Sequence, residues 1–318
     1  MKKIVADNDL NLSLQEVPSP EVHDNEVAIK IEAIGVNFAD IKILNGNTLD
    51  KGTEMGSEIA GIVESAGRDA HRFKPGDRVF AATHWGGCYA EKAVVPEFSV
   101  RKLPEYLSFE QGAAFAVTTQ TAYHAVITTG KIQAGEWVLI LAAGGGVGTQ
   151  ALQIAKLRGA KVIAAASSAE KLERLKAFHP DVLVNYAEED LQKAVMDATN
   201  GDGVNCVLDG NGGADFAKNF KMMANFGRVV LYGNAAGPIP PIDPYSLIWN
   251  AHQIIACTMR VVVAQPELFE RAYNDIFEWL KTGQLKVEIG HVLPLSDAAK
   301  AHELMLGRKN YGKIVLKP

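Results

Sequence analysis

The chain has 318 residues, 47% of them apolar and 22% charged, with a formal net charge of −5. That length exceeds one ordinary core and predicts two domains, while the acidic balance argues against a nucleic-acid surface. No apolar run is long enough to span a membrane and the start, MKKIVADNDL, lacks a secretory signal, so a cytoplasmic location is expected.

Residues 1 to about 110 read as β-rich. Val27, Ile29, Ile31 and Ala33 alternate with Ala28, Lys30 and Glu32, the period of a half-buried strand. Short strand candidates recur at EIAGIVES, DRVFAAT, CYAEKAVV and SVRKL between turns such as Lys74-Pro75-Gly76-Asp77, the outline of a small barrel. From Ser108 the pattern turns helical, and SFEQGAAFAVTTQTAYHAVITTG predicts one long helix capped by Ser108. WVLILA, KVIAAA, VLVNY, VNCVLD, GRVVLYG and QIIACT then form apolar strands. Helices at VGTQALQIAK, AEKLERLKAF, EEDLQKAVMDA and ADFAKNFKMMA join most of them, which predicts an α/β fold with a doubly wound parallel sheet. PELFERAYNDIFEWLKTG places Phe269, Ala272, Tyr273, Ile276, Phe277 and Leu280 on one face of a packing helix. The tail adds a helix and an edge strand returning to the first domain. The domains are expected at 1–115 with 260–318, and at 116–259. Cys88, Cys206 and Cys257 lie far apart without CxxC spacing and are expected to be reduced and buried.

The stretch Trp137–Gly148, WVLILAAGGGVG, reads as a strand, a tight turn and a helix. Glycines there, Gly145 and Gly146 among them, allow positive φ and close approach. The helix start with Val147 directs free N–H groups at a pyrophosphate. On this helix Val147, Ala151, Ile154 and Ala155 are expected to face a sheet, with Gln150, Gln153 and Lys156 pointing away. About 20 residues beyond the glycines a dinucleotide fold meets the adenosine ribose, and an Asp or Glu there would suit NAD. This chain has Ser167, Ser168 and Lys171, a composition that suits the 2′-phosphate of NADPH. Ser167 with Glu170 also reads as a capping box, which is compatible with a phosphate at a helix start. Asn211, Tyr232, Gly233 and Thr258 end parallel strands, where open α/β sheets bind ligands.

AIGVNFADIKILNG, MGSEIAGIVE, KPGDRVFA, TTQTAYHAV, AAGGGVG, SSAEK, LVNY, GRVVLYGN and GRKNYGKIVLKP occur in one order along the chain. In this it resembles the zinc-free medium-chain dehydrogenases/reductases, most closely the quinone oxidoreductase (zeta-crystallin-like) group, over essentially its full length. The resemblance implies a GroES-like catalytic domain, a Rossmann domain and a cleft between them. Zinc-dependent members hold a Cys and a His where this chain has Asn37 and Ser57, and the cysteine-rich structural loop is missing, so no metal is expected. Without zinc to polarise an oxygen, the substrate must already be electrophilic, as a quinone or an α,β-unsaturated carbonyl is.

Within that frame Asn37 is the candidate hydrogen-bond donor to a developing oxyanion, or else a loop residue capping a turn. Lys42 stands where related reductases often carry Tyr, and is either a cation for the substrate pocket or a solvated side chain. His84 and Trp85 are candidates for the pocket mouth. Tyr186 matches a tyrosine that packs by the 2′-phosphate, Thr121 a threonine near the nicotinamide, and Lys313 an arginine some relatives direct at the pyrophosphate, otherwise an edge-strand lysine. The expected activity is NADPH-dependent hydride transfer. An NADPH-binding protein without turnover, or a zinc-free enoyl-thioester reductase, are the alternatives. The apolar strand QIIACT lies where relatives join sheets edge to edge, so a homodimer is expected.

Overall fold

Alternation of apolar and polar residues makes strands of the first third of the chain, and the computed structural model describes residues 1–46, 54–83 and 86–318. A hairpin of β1 (Lys2–Ala6) and β2 (Leu12–Glu16) precedes β3 (Glu26–Val36), the short helix α1 (Phe38–Leu44), β4 (Glu58–Ala66), β5 (Arg78–Ala82), β6 (Lys92–Pro96) and β7 (Val100–Lys102). β3 departs from its alternating pattern at its end, where Ile34, Gly35 and Val36 are all buried. The cause is α2 (Phe109–Phe115), which packs so close that a Cβ on Gly35 would strike the carbonyl of Ala113.

The expected single helix from Ser108 is interrupted. Ser108 caps α2, with its hydroxyl 3.1 Å from the Gln111 N–H and the Gln111 side chain returning to Ser108 N. The helix then stops, and α3 (Thr118–Tyr123) runs into a π-helical turn at His124–Thr129. At the break, the Val117 N–H leaves the helical ladder and donates to Glu58 Oε1 at 2.7 Å.

The parallel strands follow as expected: β8 (Trp137–Ile140), α4 (Gly146–Leu157), β9 (Lys161–Ala166), α5 (Ala169–Leu175), β10 (Val182–Asn185), α6 (Leu191–Ala198), β11 (Val204–Asp209), β12 (Met223–Leu231) and β13 (Gln253–Ala256). All pairings are parallel in the order β10-β9-β8-β11-β12-β13, the doubly wound arrangement. Where ADFAKNFKMMA predicted a helix, only a 3-10 segment, Phe216–Met222, forms before β12.

After α7 (Met259–Val263) and α8 (Pro266–Lys281) come β14 (Ile289–Pro294), α9 (Ala298–Leu306) and β15 (Lys313–Lys317). β15 lies between β14 and β3, so the expected edge strand of the tail is an interior one. The first sheet runs β14-β15-β3-β4-β5-β7, with β6 sharing an edge of β3.

The chain divides into unit 1, Met1–Val117 with Val287–Pro318, and unit 2, Thr118–Lys286. The return to the first unit thus falls at 287 rather than 260. α8 belongs to unit 2 because Tyr123 of α3 donates to Asp275 and its ring lies tilted against Trp279, ring centroids 5.9 Å apart. The amides of Gln150 and Gln153 grip the backbone of Lys286, with contacts at 2.8–3.1 Å. Both glutamines are therefore buried, against the expectation that they point away from the core. Cys88, Cys206 and Cys257 are free and buried. No described helix is long and apolar enough to cross a membrane.

Candidate functional site

In unit 2 the residues of interest gather at the C-terminal ends of β8, β9 and β10. The positive φ of the turn after β8 is taken by Ala142, at 51°, and not by Gly144, Gly145 or Gly146. The glycines serve close approach instead. A Cβ on Gly148 would come 2.5 Å from Ala142 O and 2.7 Å from Ala143 Cα, so glycine is what lets α4 start against the turn. Gly145, Gly146 and Val147 stay partly exposed at the first turn of α4, where N–H groups have no intrahelical acceptor.

β9 ends at Ala166, whose carbonyl accepts from the Tyr186 N–H at 3.1 Å, setting Tyr186 beside Ser167. The cap of α5 is Ser168 rather than Ser167: its hydroxyl accepts from the Lys171 N–H at 3.4 Å. That shift leaves Ser167 half-exposed between strand and cap. The stem of Lys171 folds back over the glycine turn, its Cδ 3.0 Å from where a Gly144 Cβ would stand. No acidic residue occupies the two positions after β9. An open helix start, two serines, a lysine and a half-buried tyrosine form a set that fits a phosphorylated dinucleotide.

The ends of β11 and β12 are fixed by a carboxylate that sequence reasoning missed. Asp209, 1% exposed, accepts from Asn211 N, Gly212 N and Asn219 Nδ2 at 2.7–3.0 Å. Asn211 O in turn accepts from Ala236 N, and the Tyr232 ring covers Gly210 beside Gly233. Burial pushes the Tyr232 hydroxyl well above its ordinary value, so it stays protonated. Thr258 is exposed at the position just before α7, and Thr121 lies half-buried on α3.

Unit 1 holds a second polar cluster. Asn37, at the start of α1, accepts from Lys313 Nζ at 2.8 Å and donates to Glu58 Oε2 at 3.0 Å and Gly35 O at 3.4 Å. Lys313 also donates to Glu58 Oε2 at 2.7 Å and Val36 O at 2.9 Å. Far from being an edge-strand lysine, Lys313 is 3% exposed against a fully buried Glu58. Beside them Asp40 accepts from Asn37 N, Gly56 N and Tyr89 Oη. Burial raises the Asp40 carboxyl despite these bonds. Because Tyr89 donates to Asp40, His302 Nε2 is the donor in the 3.2 Å contact with Tyr89 Oη, leaving a buried Nδ1 with no partner. Glu58 was legible in MGSEIAG; His302 and Tyr89 carried no local signal.

Lys42 is half-buried, its Nζ 5.8 Å from the Phe38 ring centroid, and burial draws its ammonium below the usual lysine range. His84 and Trp85 lie outside the described residues. Among the described residues, no group of three or more His, Cys, Asp and Glu side chains could hold a metal ion.

Burial also holds two histidines neutral, His302 in unit 1 and His124 in unit 2, each drawn down to about 4. The folded chain refuses a proton that the unfolded chain accepts below about 6.5. Stability is thus lost as pH falls from about 6.5 towards 4, by on the order of 2–3 kcal/mol per histidine. Thermal melts of wild type and His302→Asn across this range test the expectation: the variant should lose less on acidification, and parallel curves would refute it.

Two family profiles match the chain, the alcohol dehydrogenase GroES-like domain over residues 23–105 and the zinc-binding dehydrogenase domain over residues 146–277. Human quinone oxidoreductase is 33% identical over 304 residues, covering 94% of this chain and 91% of that protein. The crystal structure of a Pseudomonas syringae pv. tomato quinone oxidoreductase superposes with a TM-score of 0.93 at 32% identity, over 100% of this chain and 99% of the other. An Escherichia coli quinone oxidoreductase crystallised with NADPH gives 0.93 at 29% identity, with the same coverage. With two such domains in this order and relatives matched over nearly the whole length, the chain belongs to the medium-chain dehydrogenase/reductase family, among the homologues of the quinone oxidoreductases.

Proposed function

We propose that the chain is a cytoplasmic, NADPH-dependent oxidoreductase that reduces an electrophilic quinone or α,β-unsaturated carbonyl without a metal. The observation that carries this reading is the end of β9, where Ser167, Ser168, Lys171 and Tyr186 adjoin the open start of α4 and the two positions after the strand hold serines and no carboxylate. The NADPH complex of the Escherichia coli relative supports it. When bound, the reduced nicotinamide supplies hydride. The protein's own groups hold the phosphates at Gly145–Val147 and orient the strand ends through Asp209. Asn37 keeps Glu58 and Lys313 paired where zinc-binding relatives place a ligand. With its amide hydrogens spent inside the cluster, Asn37 serves as a positioning residue and not as the oxyanion donor.

A panel of quinones and enones tests the reading: NADPH oxidation on some members, unchanged by a chelator and without stoichiometric zinc by elemental analysis, is the expected result. Tight NADPH binding with no turnover on any acceptor would leave a binding protein instead, and activity only on thioester-linked enoyl chains would move the substrate class.

A homodimer joined along β13 is part of the proposal. Among the described residues β13 is the outermost strand of its sheet; it carries the exposed Ile254, and Phe226, Ile248 and Trp249 are exposed on neighbouring segments, Phe226 and Trp249 to 73% and 77%. Phe226 N–H bonds to Asn250 O, which brings the exposed Phe226 next to the segment that carries Ile248 and Trp249. Light scattering at micromolar concentration should report twice the mass of the 34.3 kDa chain; a monomer would contradict it.

A further inference from the structure

The residues proposed for the dinucleotide stand at the C-terminal ends of the parallel strands. The N-terminal end of the same sheet carries a cleft of about 410 Å³, lined by residues of unit 2, with Glu136 just before β8 and Gln253 at the first position of β13. Sheet register builds one wall. Arg228 of β12 pairs with Gln253, which sets the two side chains on one face, and Ile255 shares that face two residues on. The π-helical turn His124–Thr129 ends at the cleft and hands over to Gly130 and Lys131, a local form that recurs at functional sites.

Donors outnumber acceptors there. Of the guanidinium N–H groups, Nε donates to Gly130 O at 2.5 Å, Nη1 to Glu136 Oε1 at 3.0 Å and Asn205 O at 3.2 Å, and Nη2 to Glu136 Oε2 at 2.6 Å. One Nη2 hydrogen is left without an acceptor among the described residues. Glu136, the carboxylate of the lining, is filled by this fork and by the Gln133 N–H at 2.9 Å. The Gln253 amide and the Lys131 ammonium have no partner among the described residues. Lys131 also holds a left-handed φ of 48°, which glycine would take without strain, yet the position carries an ammonium. Two cations against one paired carboxylate leave the cleft short of a single negative charge. Its volume exceeds what a bare inorganic ion fills.

We propose that this cleft binds a small organic monocarboxylate, its oxygens on the Lys131 ammonium, the Gln253 amide and the remaining Arg228 N–H, and its apolar body against Ile255. One excess positive charge matches a carboxylate, whereas a phosphate dianion would keep a charge without a partner. The site lies at the opposite end of the sheet from the proposed dinucleotide residues and does not depend on the reductase reading. Its contacts use none of the side chains assigned above to the surface of a second copy.

The test titrates the full chain with benzoate, benzamide and inorganic phosphate by calorimetry, for wild type, Lys131→Gln, Gln253→Ala and Lys171→Ala. Benzoate should bind the wild type at a single site with a Kd of about 1 mM or tighter. Benzamide should bind at least about tenfold more weakly, because a neutral amide does not pair with the ammonium. Lys131→Gln should weaken benzoate about tenfold and Gln253→Ala about threefold, both with the Tm of wild type, while Lys171→Ala should leave benzoate binding unchanged. Benzoate that fails to bind below about 10 mM, or that binds Lys131→Gln as tightly as wild type, would overturn the proposal. Phosphate binding more tightly than benzoate would overturn it as well, since the cleft would then not select a monocarboxylate. A loss confined to Lys171→Ala would place benzoate at the dinucleotide phosphates and also overturn it. None of these results touches the reductase reading, which the panel of acceptors decides.

Discussion

Lys313→Met is expected to destabilise unit 1 by about 3–5 kcal/mol, since it strips the ammonium from a carboxylate that water cannot reach. Among the described residues Glu58 would keep the Asn37 amide and the Val117 N–H, two dipoles in place of a charge. Methionine preserves most of the volume, so the loss reports the uncompensated charge and not a cavity. Adding Glu58→Gln to the same chain should recover much of the loss, because a neutral amide in that position no longer needs a cation. Chemical denaturation of the full-length variants measures both. A single variant within 1 kcal/mol of wild type, or a double variant no better than the single, would show that the pair does not carry this weight.

Cofactor preference should respond as sharply. On the proposed reading, Lys171→Ala removes a charge-assisted contact to the 2′-phosphate worth roughly 1.5–3 kcal/mol, about ten- to a hundredfold in NADPH affinity, with NADH hardly affected. Ser167→Asp should invert the preference. The side chain sits half-exposed between the end of β9 and the cap at Ser168, where a carboxylate repels the phosphate and accepts from the ribose hydroxyls. Dissociation constants for both cofactors with wild type and the two variants decide the matter. Equal losses for NADPH and NADH in Lys171→Ala would make the lysine structural, and a wild type indifferent between the two would remove the basis for the assignment.

What sequence reasoning reached depended on how local the physics was. The strand at β3, the apolar strands of the parallel sheet and the turn at Gly144–Gly146 are all set by neighbours a few residues apart, and each stands where it was read, although in β3 Ala28 is buried along with Val27 and Ile29 and only Lys30 and Glu32 keep the polar face. The break at Val117 is different. Helical periodicity runs straight through it, and the acceptor that takes the Val117 N–H belongs to a residue 59 positions earlier. Lys313 misled for the same reason: a lysine opening the last strand looks solvated until β15 is known to lie inside the sheet against Glu58, 255 positions away. Gln150 and Gln153 follow the rule that amides face water until the Lys286 backbone, which interrupts no local pattern, comes to cover them. In the glycine turn the strand, turn and helix stand where they were read, but the device differs. Left-handed φ fell to Ala142, and glycine was needed at Gly148 for space.

The place of β15 inside the first sheet has a consequence for how the chain is made. Synthesis runs from the N-terminus, and unit 2 is one unbroken segment that leaves the ribosome whole. The sheet of unit 1, begun with β3, waits for residues 313–317 before its order β14-β15-β3 exists, and until then the carboxylate of Glu58 has no cation. The first unit to emerge is therefore the last to close, a contact of very long sequence separation and correspondingly slow to form. A chain that ends before Lys313 leaves the edge of β3 that pairs with β15 open and Glu58 without its cation, and such an edge is expected to be the first place that a protease cuts.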